Sequence, residues 1–356
     1  MGIVTAILVL TLLIIVHELG HFLAARAMGV GVLEFGLGLP FFVKKPWFAK
    51  KIGQTLYTFY PFFVGGFVRM KGQEDTDPRA RSYDPDSYSV KRPWQRIVIL
   101  VAGPLFNLLF AFGLYWGAGM VGVPTLAPVV AQVQPGSAAE AAGLRPGDRI
   151  VAIDARPITE WNEISEYIKK HGLAPLTITC LRDGKSLTLE VTPTLKTTQT
   201  IFGETVVRPM IGIGPSGESF IRYYSGWEAF LFGAQQTEQA ATLILQSLEK
   251  LVTGVVSVDQ VGGVVGIVDV TAKASEHGIV PLMLFAALLS VNLGILNLLP
   301  IPALDGGHII FNLYEMIVRR PPSEAVFVRL TMMGWALLAG LMVLGLYNDI
   351  VRLSGG

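Results

Sequence analysis

The sequence contains few charged residues and almost no cysteine. Its 356 residues include one cysteine, Cys180. These 356 residues can therefore form neither an internal disulfide nor a zinc site built from several cysteine thiolates. Charged residues make up only 15%, and the net charge is +1. No surface for a nucleic-acid partner is indicated.

Apolar residues are abundant instead. They make up 51% of the chain, and the mean hydropathy is +0.52. This composition predicts a multi-pass α-helical membrane protein. Because crossing the hydrocarbon takes about 20 apolar residues, we expect four transmembrane helices, at 3–25, 97–121, 280–299 and 326–347. Residues 227–252 contain seven Glu and Gln residues, which favours an amphipathic helix at the membrane surface.

The first apolar run resembles a signal peptide, because residues 25–27 read Ala-Arg-Ala. It has no basic segment ahead of it and is about twice the length of a usual signal core. We expect a retained transmembrane helix.

The motif His17-Glu18-Leu19-Gly20-His21 lies near the end of this first run. Histidines four residues apart share a helix face, so both imidazoles can reach one metal ion while the glutamate reaches its water. Two imidazoles and a carboxylate are costly in lipid unless they are paired, hydrated or bound to metal. The motif therefore predicts a zinc hydrolase inside the membrane, against the alternative of a polar patch that joins helices.

A catalytic zinc ion usually has three protein ligands and one open position. The segment NLLPIPALDGGHII begins at Asn297, near the end of the third predicted span. It offers Asp305 and His308, and spacing alone does not choose between them. Asp305 also suits the N-cap of a following helix.

Basic residues predict the orientation. Two of them, Arg319 and Arg320, lie between the last two spans. Twelve crowd the loop after the first span: Arg26, Lys44, Lys45, Lys50, Lys51, Arg69, Lys71, Arg79, Arg81, Lys91, Arg92 and Arg96. Both loops should be cytoplasmic, with both termini and the central region on the outer side. His17 then lies roughly two-thirds of the way across, nearer the cytoplasm.

Two further segments suggest contacts with substrate. Residues 55–70 are rich in aromatic and β-branched residues but contain Pro61, Gly65 and Gly66. This predicts a membrane-reentrant β-hairpin, whose strand edge could hold an extended substrate, against the alternative of an interfacial loop. Residues 127–193 read as a small α+β domain with a tight turn at Asp183-Gly184. His171, beside Gly172, is expected at a helix end.

Three motifs in order make the resemblance specific. They are HELGH in the first span, Gly103, Pro104 and Asn107 in the second, and NLLPIPALDGG in the third. Together they resemble the motifs of the site-2 protease family of intramembrane zinc metalloproteases, in particular its bacterial RseP-type branch. The resemblance covers essentially the whole chain. It implies a membrane-reentrant loop containing the Gly-Gly pair and a PDZ-like domain at 127–195.

The resemblance also implies roles for residues. Zinc would be bound by His17, His21 and Asp305, with Glu18 as the acid/base and His308 in support. Asn297 would engage the substrate backbone. Substrate contacts are also expected at Gly65, Gly66 and Asn107, although helix packing is the stronger expectation for Asn107.

The domain boundaries expected are 1–126, 127–195, 196–279 and 280–356. The second is the PDZ-like domain, and the last holds the final two spans. The best-known RseP pattern has two PDZ domains, so the single domain here leaves the substrate open. The segment Val261-Gly262-Gly263 departs from the usual Ser-Gly-Pro-like turn and suggests no role.

The predicted function is hydrolysis of peptide bonds in or near transmembrane segments of single-pass proteins in the bacterial inner membrane, for example anti-sigma factors or signal-peptide remnants. The partners expected are these substrates, the lipid bilayer and peptide tails at the PDZ-like domain. A non-catalytic membrane adaptor with a structural metal site is the alternative. A metal transporter is disfavoured because the sequence contains no internal repeat.

Overall fold

A computed structural model describes residues 2–38, 45–61, 65–73 and 82–354. Its helices, in chain order, are: α1 (Gly2–Ala27), α2 (Pro93–Val121), α3 (Ala138–Ala141), α4 (Trp161–His171), α5 (Gly226–Val252), α6 (Val264–Glu276), α7 (Ile279–Asn297), α8 (Asp305–Val318) and α9 (Glu324–Leu353). Four described helices, α1, α2, α7 and α9, are long and apolar enough to cross a membrane. The four predicted spans are confirmed to this extent, and α5 confirms the predicted helix at 227–252.

The strands, in chain order, are: β1 (Val32–Leu37), β2 (Phe48–Ile52), β3 (Thr55–Phe59), β4 (Gly66–Met70), β5 (Val123–Leu126), β6 (Val130–Val133), β7 (Arg149–Ile153), β8 (Arg156–Pro157), β9 (Leu176–Arg182), β10 (Lys185–Val191), β11 (Thr194–Gln199), β12 (Thr205–Met210), β13 (Ile213–Pro215) and β14 (Ser219–Arg222). Lys44, Arg79 and Arg81 of the predicted cytoplasmic loop lie outside the described residues, as do residues 62–64 of the predicted hairpin.

The chain divides into two compact units. The first consists of Met1–Ala118, Gly226–Leu251 and Ser257–Gly356, and the second of Gly119–Ser225 with Val252–Val256. The four membrane-spanning candidates lie almost wholly in the first unit.

Helices α1 and α2 cross closely in the first unit. A Cβ atom on Gly20 would lie 2.3 Å from the carbonyl oxygen of Ala102. Only glycine therefore permits this backbone approach. Farther along α2, Ala111 and Tyr115 share a buried apolar cluster with Ala240 of α5 and with α7. The first unit thus surrounds the middle of α2 with other helices.

The sheet of the first unit has the strand order β2-β3-β1-β4. Strand β1 pairs with β3 in parallel and with β4 in antiparallel orientation. The predicted hairpin between the two halves of 55–70 is therefore wrong, because β1 lies between β3 and β4. The hairpin observed joins β2 and β3, with Ile52 opposite Thr55. Strand β4 forms an edge of this sheet.

The second unit contains a four-stranded sheet in the order β10-β9-β7-β8. Alternate residues of β9 point into an apolar core to which α4 contributes Ile164 and Ile168. Strand β7 adds Ile150 and Ile153, which lie on either side of an irregularity in its pairing with β9. The predicted turn at Asp183-Gly184 is confirmed, because β9 and β10 pair directly across it. Cys180 is fully buried in this core, and its burial raises the pKa of the thiol.

One ion pair joins the core to the surface of this unit. The fully buried Asp148 accepts hydrogen bonds from Arg182 Nε at 2.7 Å and Nη2 at 2.8 Å. Burial alone would raise the pKa of Asp148, but the Arg182 guanidinium and the Arg145 backbone N–H outweigh it and hold the pKa below its usual value.

Candidate active site

Helix α1 presents His17 and His21 on one buried face. The residues are 8% and 7% exposed, and their Nε2 atoms lie 3.1 Å apart. The spacing of four residues in one helix produces this arrangement. The structure thus brings the two imidazoles together at one point.

Asp305, the first residue of α8, brings a carboxylate to the same point. Its Oδ2 atom lies 3.1 Å from His17 Nε2 and 3.4 Å from His21 Nε2. The two glycines that follow allow it to do so. Cβ atoms on Gly306 and Gly307 would lie 2.2 Å and 2.3 Å from the carbonyl oxygens of Leu299 and Ile301. The preceding turn can therefore fold directly over the start of α8.

His308 is the other residue that spacing allowed as a third ligand. Its ring lies beside Phe311 and Phe327, at centroid distances of 6.0 Å and 5.7 Å. Among the described residues, the group of His, Cys, Asp and Glu side chains able to hold a metal ion contains His17, His21 and Asp305, without His308.

The three residues fit a zinc ion. The buried Oδ2 of Asp305 has no hydrogen-bond partner among the described residues, although two imidazole nitrogens face it. Ligand atoms about 2.05 Å from a tetrahedral zinc ion lie about 3.3 Å from each other. The three separations here, 3.1, 3.1 and 3.4 Å, match that spacing. Two imidazoles and one carboxylate are also a donor set of catalytic zinc sites.

One face of α2 packs against the two histidines. Ile99, Gly103 and Asn107 recur at intervals of four residues and so share this face. The carbonyl of Ile99 accepts a hydrogen bond from His21 Nδ1 at 2.9 Å, and the Asn107 amide lies 3.2 Å from His17 Nδ1. A Cβ atom on Gly103 would lie 2.4 Å from His21 Nε2. Sequence reasoning missed the contact of Ile99, although the interval of four was a usable signal.

Glu18 lies between the histidines and the sheet. Its carboxylate lies near the backbone of Val68 in the edge strand β4, and His17, His21 and Asp305 all act on it electrostatically. A Cβ atom on Gly66 would lie 3.7 Å from Glu18 Cγ. The structure thus brings Gly66 beside Glu18, and Gly65 precedes it in the left-handed region with φ 116°.

Asn297 is the last residue of α7. Its side-chain amide donates to the carbonyl of Leu293 at 3.0 Å. This bond lies within α7 and leaves the side-chain oxygen for another partner.

Comparison with known proteins supplies the family. A model of "Peptidase family M50" matches residues 5–341. The chain belongs to peptidase family M50. This M50 chain is an intramembrane zinc metalloprotease of the site-2 protease type, as its sequence motifs predicted.

Individual relatives agree with this assignment. The M50 chain is 42% identical to a "Putative zinc metalloprotease" of Campylobacter jejuni over 349 residues, which cover 98% of this chain and 93% of the relative. It is 36% identical to a similarly named protein of Helicobacter pylori, with 98% and 99% covered. It is 30% identical to "Regulator of sigma-E protease RseP" of Salmonella typhimurium, with 98% of both chains covered.

Proposed function

We propose that His17, His21 and Asp305 bind the zinc ion of this protease and that Glu18 is its general acid and base. The observation that carries the proposal is the convergence of the two Nε2 atoms and one carboxylate oxygen within 3.4 Å of each other. These atoms come from α1 and α8, which are separated by most of the chain. The three side chains supply the three protein ligands that a catalytic zinc ion usually has.

The chemistry follows from these side chains. A zinc ion held there supplies a Lewis acid that polarises a peptide carbonyl and acidifies a water molecule. Glu18 takes the proton from that water as it attacks the carbonyl carbon, and then gives the proton to the leaving amine. Its position beside His17 in α1 and against β4 suits both transfers.

The substrates proposed are single-pass transmembrane proteins. Carbonyl groups in an intact transmembrane helix are hydrogen-bonded, so the segment must unwind before it is cut. Strand β4 is the candidate to receive it, because an extended segment can pair with a sheet edge. The Val68 backbone of β4 already reaches Glu18. Gly65, Gly66 and Asn297 are proposed to contact the substrate backbone.

The second unit is proposed to act as the PDZ-like domain. A groove between α4 and residues 208–213 is lined by Trp161, Ile164 and Ile168 on one side and by Met210 and Ile211 on the other. Glu166, Lys169 and Arg208 also line it. A groove of mixed polar and apolar lining between a helix and a strand segment suits an extended peptide tail. We propose that unstructured tails of substrates bind here.

The proposed location is the bacterial inner membrane. The basic residues around 26–96 and at Arg319 and Arg320 support a cytoplasmic position for both loops. Both termini and the PDZ-like unit would then face the periplasm. The substrate site would lie below the membrane surface, nearer the cytoplasm.

The test uses the full-length protein in detergent with a model single-span substrate. Wild-type protein should cleave the substrate, stop when zinc is chelated and recover when zinc is returned. Glu18→Gln should retain stoichiometric zinc and lose cleavage. His21→Ala should lose both zinc and cleavage.

Glu228→Gln is the matched control, because it makes the same chemical change at an exposed position on α5. It should cleave at the wild-type rate. Cleavage by the Glu18 variant, or by protein stripped of zinc, would refute the assigned roles. A Glu18→Gln strain with every cellular function intact would instead favour the adaptor alternative.

A further inference from the structure

Asn107 has an unusual environment for a residue inside a membrane-spanning helix. It is fully buried in the middle of α2. Its Nδ2 atom lies 3.2 Å from Nδ1 of His17. Its Oδ1 atom is buried and has no hydrogen-bond partner among the described residues. A buried carbonyl oxygen without a hydrogen-bond partner is unfavourable, so a role for this oxygen is expected.

The proton positions on His17 define that role. The Nε2 atom of His17 points to Asp305 and His21. The lone pair of this Nε2 atom would bind the proposed zinc ion. A neutral imidazole that binds metal through Nε2 carries its proton on Nδ1. The group opposite Nδ1 must then accept a hydrogen bond. The NH₂ of Asn107 cannot accept one, whereas its Oδ1 can.

His21 has such an acceptor already. Its Nδ1 atom lies 2.9 Å from the carbonyl oxygen of Ile99, and this contact leaves Nε2 free to bind metal. Ile99 and Asn107 lie eight residues apart on the same face of α2. The same helix therefore places one partner opposite each imidazole.

We propose that Asn107 is a positioning residue for zinc, whose Oδ1 accepts a hydrogen bond from Nδ1–H of His17 in the zinc-loaded protein. In the structure it is the NH₂ group that faces Nδ1, at 3.2 Å. When Nε2 binds zinc and the proton resides on Nδ1, a half-turn of the carboxamide presents the oxygen. The inference rests on the proposed zinc ligands, but it concerns a residue that touches neither metal nor reacting atoms.

The proposal assigns Asn107 a role other than the substrate contact or helix packing expected from the sequence. Groups that orient a metal-binding histidine typically change metal affinity by 10- to 100-fold when they are removed. A substrate contact would change KM and leave zinc affinity alone. Zinc affinity therefore separates the two roles.

The experiment measures zinc affinity of the purified full-length protein by competition with a chelating indicator. Asn107→Leu has a side chain that branches at the same carbon, is larger and has no acceptor, and it should bind zinc 10- to 100-fold more weakly. Asn107→Asp restores an acceptor and should bind zinc at least as tightly as the wild type. With cobalt in place of zinc, the visible absorption bands should shift in the leucine variant and return in the aspartate variant.

Ser290→Ala is the matched control. The Ser290 hydroxyl donates to the backbone carbonyl of Asn107 at 2.8 Å. Its loss therefore removes a buried hydrogen bond at the same residue and leaves the side-chain carboxamide unchanged. It should leave zinc affinity within twofold of the wild type. Equal zinc affinity of Asn107→Leu and wild type, or weak binding by Asn107→Asp, would overturn the proposal.

Failure of the ligand assignment would look different. His21→Ala and Asp305→Ala should show no tight zinc binding. If they bind zinc like the wild type, the proposed ligands are wrong. If they do not, and the Asn107 variants all bind zinc normally, only the role of Asn107 is wrong.

Discussion

Single residues create space at this site as well as chemistry. Gly103 lies on α2 opposite both imidazoles, and a Cβ atom there would also lie 2.9 Å from His17 Cε1. Its neighbour Pro104 has no N–H, so it cannot close the helical bond to Leu100 and it loosens this turn of α2. The two residues together let α2 fit against the histidines.

Gly103→Ala should therefore damage the metal site. The added methyl carbon would lie 2.4 Å from Nε2 of His21 and 2.9 Å from Cε1 of His17, so the imidazoles or α2 must move. We expect zinc affinity and cleavage each to fall at least tenfold. Chelator competition and the cleavage assay in detergent measure the two effects.

Gly113→Ala supplies the comparison on the same helix. Nothing lies within 4 Å of a Cβ atom at this position, and alanine favours a helix over glycine by about 1 kcal/mol. This variant should bind zinc normally and be no less stable than the wild type. Equal behaviour of the two alanine variants would show that Gly103 is not needed for space.

The sequence predicted the paired histidines because helical periodicity alone brings residues 17 and 21 together. It did not choose between Asp305 and His308 from spacing, because both follow the same turn three residues apart. The choice depends on the close folding of residues 298–302 over Gly306 and Gly307. That approach depends on the tertiary structure, so spacing could not reveal it. The resemblance to known proteases indicated Asp305 instead.

At the scale of elements, the start of α6 is fixed by the end of α9. Asp349, which is 2% exposed, accepts hydrogen bonds from the backbone N–H groups of Gly263 at 3.0 Å and Gly266 at 2.9 Å. Its neighbour Asn348 donates to the carbonyls of Val258 and Val261. A carboxylate from another helix thus caps α6, in the role usually filled by a local N-cap residue. This contact gives a structural role to the segment 261–263.

Gly263→Ala should weaken this contact. Its Cβ atom would lie 2.5 Å from the backbone of Gly345 and 2.6 Å from Asp349 Oδ2, so α6 must move away from α9. Overpacking of this kind costs about 1–3 kcal/mol. Thermal unfolding in detergent should show a lower midpoint than in the wild type.

Gly262→Ala tests whether the position matters. Nothing lies within 4 Å of a Cβ atom there, and the free energy of unfolding should change by no more than about 0.5 kcal/mol. A destabilisation as large as that of Gly263→Ala would mean that the loop, and not the approach to α9, is the sensitive feature.

Elements formed by local patterns were easier to predict than those formed by distant pairing. The long apolar runs identified α1, α2, α7 and α9, and the Asp183-Gly184 turn identified β9 and β10. Strand β1 was not anticipated, and its insertion between β3 and β4 overturned the predicted hairpin. Its central residue Glu34 is a poor strand signal, but it is buried and accepts bonds from Thr58, Tyr60 and Arg69.

At the scale of the whole molecule, the proposed metal site joins the two ends of the chain. His17 and His21 come from α1, and Asp305 comes from α8. Metal that binds only the folded protein stabilises it by RT ln(1 + [L]/Kd), which is about 2.7 kcal/mol when free zinc is 100 times its Kd. The second unit contributes none of these ligands. Zinc should therefore stabilise the first unit selectively.

Hydrogen exchange of the full-length protein in detergent can measure this selectivity. Adding zinc to metal-free protein should slow exchange in α1, in the facing turns of α2 and at the start of α8, because these segments must separate to open the site. Exchange in β7 and β9 of the second unit should not change. His21→Ala should show no zinc-dependent protection anywhere. Equal protection of both units, or protection that survives in His21→Ala, would mean that zinc stabilises the chain from a different site.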